Sequence, residues 1–317
     1  MDVPVPLRPI DSLEATILVD NQIDILLPST DRVRRAPLAL DWSTRAQLIA
    51  EHGYAVLLTI RERGTTRTLL YDAGLGRDTL GHNLDVLGIS TRDLEAIALS
   101  HGHADHHGGF EGLARTVGRR NLPLVLHPDA WRTRKVVFPS GIELNMPPPD
   151  RKALERADVR IVEDRGPSLL LGEGVLLTGQ VERTTEFEKG FPWQQARTDG
   201  GWEPDPWIWD DQGVVVHVRG KGLVVVSSCS HAGVINVLRN GQRLTGIRQV
   251  HAFLGGLHLT GGLFEPIIPQ TVEELVRIAP DVIVPGHCTG WKATHETARR
   301  LPLAYVQTSV GTTVRFD

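Results

Sequence analysis

The sequence predicts an α+β fold: two packed sheets with helices on their outer faces. Two patterns predict it. Apolar, β-rich runs dominate the first third of the chain, and strands alternate with helices in the last third. This order suits two face-to-face sheets better than one doubly wound parallel sheet. The 317 residues suffice for a full core, and the chain reads as a single domain.

The elements follow in order. "ATILVD" (Ala15 to Asp20) and "YAVLLTI" (Tyr54 to Ile60) are strand runs. The polar turn "RERGTT" joins the second to "RTLLYDAG" as a hairpin. "TLGHNLDVLGI" carries Leu80, Leu84 and Leu87 at helical spacing. "DLEAIALS" is a strand, "GFEGLARTVG" a helix and "LPLVLH" a strand. Residues 128–211 hold most of the tryptophans and many prolines, and only "GVLLTGQV" reads as a strand there. The rest predicts a loop-rich insertion that shapes a pocket. "GVVVHVRGKGLVVVSS" is a hairpin with an "RGKG" turn, and "HAGVINVLRNG" is a helix closed by Gly241. "VHAFLGG" and "DVIVPGH" are strands. "TVEELVRIA" is a helix opened by a capping box, Thr271 with Glu274. "WKATHETARRL" is a helix, and "AYVQTS" and "TTVRF" are strands.

Composition excludes several functions. The formal net charge is -4 with no basic run, so nucleic acid is not an expected partner. No apolar run reaches the roughly 18 residues of a membrane span, so no membrane partner is expected. The N-terminus lacks the pattern of a secretory signal. Two distant cysteines, Cys229 and Cys288, make no disulfide framework, and the expected location is the cytoplasm. Oligomeric state stays open, a homo-oligomer included.

Chemistry concentrates in "LSHGHADHHGGF", Leu99 to Phe110. His101 and His103 leave a strand end two residues apart, so both imidazoles face one cavity. Asp105 and His106 turn with the loop. Nitrogen donors plus one carboxylate suit zinc, with manganese or iron as alternatives. Gly108 and Gly109 allow a tight turn behind them.

"SHGHADHHGG" resembles the H-x-H-x-D-H signature of metallo-β-lactamase-fold hydrolases, and "LLYDAG" resembles their "LFDTG" turn, which places Asp72 as support for the metal loop. Five blocks in order narrow the resemblance. "SHGHADHHGG", "TGQVER", "DDQG", "SCSHAG" and "GHCTG" are similar to blocks of the subgroup named for 7,8-dihydropterin-6-methyl-4-(β-D-ribofuranosyl)aminobenzene 5′-phosphate synthase. This resemblance implies a four-layer αββα sandwich and two divalent metal ions. It assigns His101, His103 and His231 to one metal, and Asp105, His106 and His287 to the other. Cys229 stands where many members carry a bridging aspartate. A thiolate ligand and a small buried residue are both open there. The histidine of the usual "GHTPGS" turn is replaced by "WDDQG", so Asp211 is the substitute ligand if His231 does not reach.

The implied enzyme is a metal-dependent hydrolase or a synthase-like transferase acting on a small phosphate-containing substrate, with phosphodiester hydrolysis as the measurable activity. Asp105 would hold a metal and orient the attacking hydroxide; His231 or His258 would protonate the leaving group. Arg183 matches the arginine of the family block and would grip a phosphate, although Gln180 and Glu182 depart from its "TGEIPR" form. Trp207, Trp209 and Phe187 would stack a flat heterocycle, or else form a small satellite core. A lactonase or thioesterase and a non-catalytic metal-binding sensor are the alternatives. His107 reads as a loop neighbour, and His52, His82, His127, His217, His251 and His295 read as structural or surface residues.

Overall fold

Strand faces explain the layering. Along Val214–Val218, Val214, Val216 and Val218 pack into one apolar cluster while Val215 packs into another. Gly222–Ser227, Val250–Gly256 and Val282–Gly286 alternate in the same way. A strand buried on both faces reads as a continuous apolar run, which is why these segments show little polar alternation.

The computed structural model describes residues 3–38, 41–43, 45–116 and 121–317. The first sheet has eight strands in the order Val33–Arg34, Thr313–Phe316, Ser12–Val19, Ala55–Glu62, Thr65–Tyr71, Leu94–Ala98, Leu122–Leu126 and Val159–Glu163. The second has six: Ser168–Leu170, Val175–Leu177, Val214–Val218, Gly222–Ser227, Val250–Gly256 and Val282–Gly286. The sheets meet over Leu13, Val56, Leu69, Val216, Val226 and Leu254. The helices Val234–Thr245 and Ile268–Ile278 cover the second sheet through Val237, Leu238, Val272 and Leu275. The helices Thr79–Leu87 and Phe110–Thr116 cover the first through Leu80, Leu84, Phe110 and Leu113. This is the αββα sandwich.

Several local expectations are corrected. Residues 128–211 are not one loop-rich unit. They supply the edge strand Val159–Glu163 to the first sheet and two strands to the second. The remainder builds a third sheet in the order Gly201–Pro204, Gln194–Thr198, Arg134–Val137, Glu143–Met146. Short strands rich in Gln, Arg and Glu gave no apolar run to find. The helix after His231 continues through Gly241 to a left-handed C-cap at Gly246; Gly241 sits inside the helix, where a Cβ would lie 3.2 Å from Val215 Cγ2. Thr271 is buried inside its helix, which begins at Ile268, so no capping box forms. "AYVQTS" contributes only an isolated bridge between Tyr305 and Ile283. Val117 and Gly118 of the expected "GFEGLARTVG" helix lie outside the described residues.

Topology creates the site. Thr65–Tyr71 and Leu94–Ala98 are parallel, as are Gly222–Ser227, Val250–Gly256 and Val282–Gly286. Ser12–Val19 runs with Thr65–Tyr71, since both are antiparallel to Ala55–Glu62. The C-terminal ends of these strands therefore converge on one rim. The loops there carry Asn21, Asp72, His101 to His106, Cys229, His231, His258 and His287.

Candidate metal centre

The rim is built on strained backbone. Asp72, Ser230, His258 and His287 have φ of 64°, 57°, 49° and 48°, a region disfavoured for any residue with a side chain. Such strain persists where surrounding bonds over-determine it. Asp72 N–H donates to the Ala98 carbonyl, and His287 N–H to Asp20 Oδ1 at 2.8 Å. Gly108 is helical, with φ of -57°, so it provides space rather than the expected tight turn. A Cβ on it would lie 1.9 Å from the Leu75 carbonyl oxygen, and one on Gly109 would lie 2.1 Å from that of Ala73.

Three imidazoles form the first donor set. His101 Nε2 lies 3.0 Å from His103 Nδ1 and 3.1 Å from His231 Nε2. Hydrogen bonds set the protons. Ser100 Oγ donates to Asp72 Oδ2, so it accepts from His101 Nδ1–H at 2.9 Å and leaves His101 Nε2 bare. The Gln194 amide lies 2.8 Å from His103 Nε2, while Gln194 Oε1 is buried with no partner among the described residues. Amide orientation is an assignment. A bare His103 Nδ1 needs the opposite orientation, with Oε1 accepting from His103 Nε2–H and the amide NH2 in the place that Oε1 takes here. Burial holds His101 and His231 well below the usual histidine range and lowers His103 to about 3. Neutral nitrogens at these spacings fit a cation. Ligands about 2.0–2.1 Å from a tetrahedral zinc stand about 3.3 Å apart.

The second set is Asp105, His106, Cys229 and His287. His106 Nδ1–H donates to Asp72 Oδ2 at 2.8 Å, which turns Nε2 toward Cys229 Sγ at 3.2 Å and Asp105 Oδ2 at 3.5 Å. Such a carboxylate behind a histidine fixes its tautomer and raises its basicity. Burial pushes His106 down, but Asp105 and Asp72 outweigh it and its pKa rises to about 9. The cluster thus favours positive charge at this point. His287 Nε2 lies 3.3 Å from Asp105 Oδ2 and has no hydrogen-bond partner among the described residues, although its side chain is fully buried. Cys229 also groups with His101 and His231, so its sulfur stands between the two sets. Burial raises its thiol pKa well above the usual value, which opposes a free thiolate and leaves it to a cation to favour one.

Residues 50–287 match the family described as the metallo-beta-lactamase superfamily. The chain belongs to this superfamily. It is 27% identical over 293 residues to the 7,8-dihydropterin-6-methyl-4-(beta-D-ribofuranosyl)-aminobenzene-5'-phosphate synthase of Methanocaldococcus jannaschii, covering 90% of this chain and 97% of the relative. An uncharacterized protein of the same organism is 29% identical over 258 residues, covering 81% of this chain and 91% of that protein. A solved metal-dependent hydrolase of the beta-lactamase superfamily shares the fold, with TM-score 0.71 and 21% identity, covering 96% of this chain and 98% of that one.

In this member of the metallo-β-lactamase superfamily the "DDQG" block is a clasp. Asp210 Oδ2 accepts from Gly102 N–H at 2.7 Å, between the two motif histidines. Gln212 donates through Nε2 to the Leu99 carbonyl and through N–H to that of Ser100. Asp211 Oδ2 accepts from Ala232 N–H at 2.8 Å, next to His231. Asp211 Oδ1 is buried with no hydrogen-bond partner among the described residues, and burial raises the carboxyl to about 6. The buried Arg134 clamps Asp210 with two bonds and Asp205 with a third.

The substrate side differs from expectation. Arg183 donates to the carbonyls of His231 and Trp207 and lies over the Trp207 and Trp209 rings at 5.3 and 5.1 Å. The tryptophans hold Arg183 rather than an open stacking slot. Phe187, with Pro192, Leu257, Leu259, Phe264 and Ile267, lines a cavity of about 380 Å³ that reaches His231 and His258. The His258 ring lies 4.2 Å from that of His231, and its Nδ1 is buried with no hydrogen-bond partner among the described residues. Glu188 accepts from Ile235 and Asn236 N–H, seating segment 187–192 on the helix after His231.

Three site residues escaped sequence reasoning. Gln194 and Asn21 come from stretches with no motif around them. His52, read as structural or surface, lies 3.6 Å from Asp105 Oδ2. Its signal was its position just before the strand Ala55–Glu62, whose N-terminal end opens on the same rim. His107 bonds the Pro147 carbonyl, as a loop neighbour would.

Proposed function

We propose that this chain is a metal-dependent enzyme that acts on a small phosphate-containing substrate, with phosphodiester hydrolysis as its measurable activity. One observation carries the reading. Three imidazoles in contact, His101, His103 and His231, lie beside a second set that holds a carboxylate, and Cys229 groups with His101 and His231 as well as with that second set. The relative named as a pterin-linked phosphate synthase supports the substrate class.

Two divalent metals, zinc first with manganese or iron as alternatives, would supply Lewis acidity and a water of lowered pKa. His101, His103 and His231 would hold one. Asp105, His106, Cys229 and His287 would hold the other. Asp105 keeps a side chain about one-fifth exposed, so it can also accept a hydrogen bond from an attacking water. His258 faces the cavity beside the first set and is the better proton donor to a leaving group, since His231 belongs to that set. The cavity's phenylalanines would take the flat ring part of the substrate. Its apolar walls also favour a second reading, a lactonase or thioesterase holding an acyl chain. Two free, buried thiols fit a cytoplasmic protein. Among the described residues no helix is long and apolar enough to cross a membrane.

Metal-loaded protein should hydrolyse bis(p-nitrophenyl) phosphate, lose that activity with chelator and regain it with zinc or manganese. Turnover of lactones or thioesters instead would favour the second reading. Loaded protein inert toward all three classes would overturn both.

A further inference from the structure

The exposed part of the second donor set is Asp105, and His52 stands beside it. His106 and His287 have no exposed side-chain surface, whereas the His52 side chain is 62% exposed. An exposed histidine is usually mobile. This one is not free to wander, because its neighbours are tied down on both sides. Glu51 N–H donates to the Asp20 carbonyl, and its carboxylate accepts from Leu75 N–H, Gly76 N–H and Thr79 Oγ. Tyr54 N–H donates to the Asp105 carbonyl. Gly53 passes so close that a Cβ would lie 2.8 Å from Leu75 N and 2.9 Å from the Asp105 carbonyl oxygen.

One amide sets the protons of His52 and His287. Asn21 Nδ2 lies 3.1 Å from the His287 carbonyl, which can only accept, so the amide orientation is decided. Asn21 Oδ1 then accepts from His287 Nδ1–H at 3.2 Å, leaving His287 Nε2 bare for a metal. The same Nδ2 faces His52 Nδ1 at 3.3 Å, so that nitrogen accepts and Nε2 carries the hydrogen. Asn21 therefore gives the two histidines opposite tautomers, one ligand and one donor. The His52 Nε2–H points at the Asp105 side of the cluster, yet 3.6 Å is too long for a hydrogen bond to Oδ2. The two rings are 5.0 Å apart.

We propose that His52 is a catalytic residue whose Nε2–H donates to a substrate oxygen held at the Asp105–His287 side of the centre. The proposal rests on the reading of this centre as a site for oxyanion substrates. It makes His52 a contact to substrate rather than a further metal ligand.

The test uses metal-loaded full-length protein and calorimetric binding of two probes, inorganic phosphate and acetate. His52→Phe keeps the ring against His287 and removes the donor; His52→Gln keeps a donor. His52→Phe should retain the wild-type metal content and bind both anions about 10- to 100-fold more weakly, with His52→Gln recovering most of the loss. A phosphodiester assay should show the same order in KM. Unchanged anion affinity in a fully loaded His52→Phe would overturn the proposal. So would loss of one metal equivalent, which would make His52 a ligand. Wild type that binds acetate but not phosphate would sink the phosphate reading, and the acetate arm would still decide His52. Wild type that binds neither anion would overturn both.

Discussion

Asp72 Oδ2 and His106 Nδ1 are joined at 2.8 Å with neither side chain exposed to solvent. Asp72 also takes both donors of Ser100, so one carboxylate aligns a ligand of each donor set. Asp72→Asn offers one oxygen and one amide nitrogen to three donors, so one donor must face another. Metal affinity at the second set should fall about 10- to 100-fold. Metal stoichiometry under a chelator titration checks this.

Gln194 should act on the other set. Gln194→Leu removes the amide's hydrogen bond to His103 Nε2 and frees the ring to change tautomer. Affinity at the first set should fall about ten-fold or more, while the second set is retained. Competition with a zinc indicator would separate the two sets. Equal loss at both would contradict the assignment.

The Arg134 guanidinium is buried between Asp205 and Asp210. Arg134→Met would strand two buried carboxylates and release the clasp on Gly102. The expected loss of stability is about 3–5 kcal/mol, read from denaturant unfolding of the metal-loaded protein. Arg134→Lys should rescue only part of it, because an ammonium cannot match three directed bonds.

Glu188 predicts a pH dependence. Burial raises its pKa from 4.5 to about 7. A carboxyl with a raised folded pKa takes up a proton on folding. Its contribution is therefore fully present below about pH 4.5 and lost as pH rises through about 7, by up to about 3 kcal/mol. Glu188→Gln should flatten the stability slope across that window by about one proton. The slope, not the absolute stability, is the readout, since the variant also loses an acceptor for Ile235 and Asn236 N–H.

Legibility in the sequence followed locality. His101, His103, Asp105 and His106 could be read together because they leave one strand end within six residues. His231 and His287 were legible through block order, each following an apolar strand. Asn21 was not, because its bond to His287 spans 266 residues and a lone asparagine carries no pattern. The hydrogen bond from Ala232 N–H to Asp211 Oδ2 was not legible either, because spacing shows which groups approach a site, not which way they point. The third sheet was missed because its strands are short and polar and are held by pairing rather than by apolar faces.

The sequence by itself determined the alternation of strands and helices, the first metal motif and the family. These depend on neighbours along the chain, where residue order is geometry. The tertiary structure decided what each distant group does. It put His231 Nε2 3.1 Å from His101 across 130 residues, turned "DDQG" into a clasp and set His52 beside Asp105. Those roles rest on hydrogen-bond direction and on the convergence of separate strand ends, which exist only once both sheets are packed.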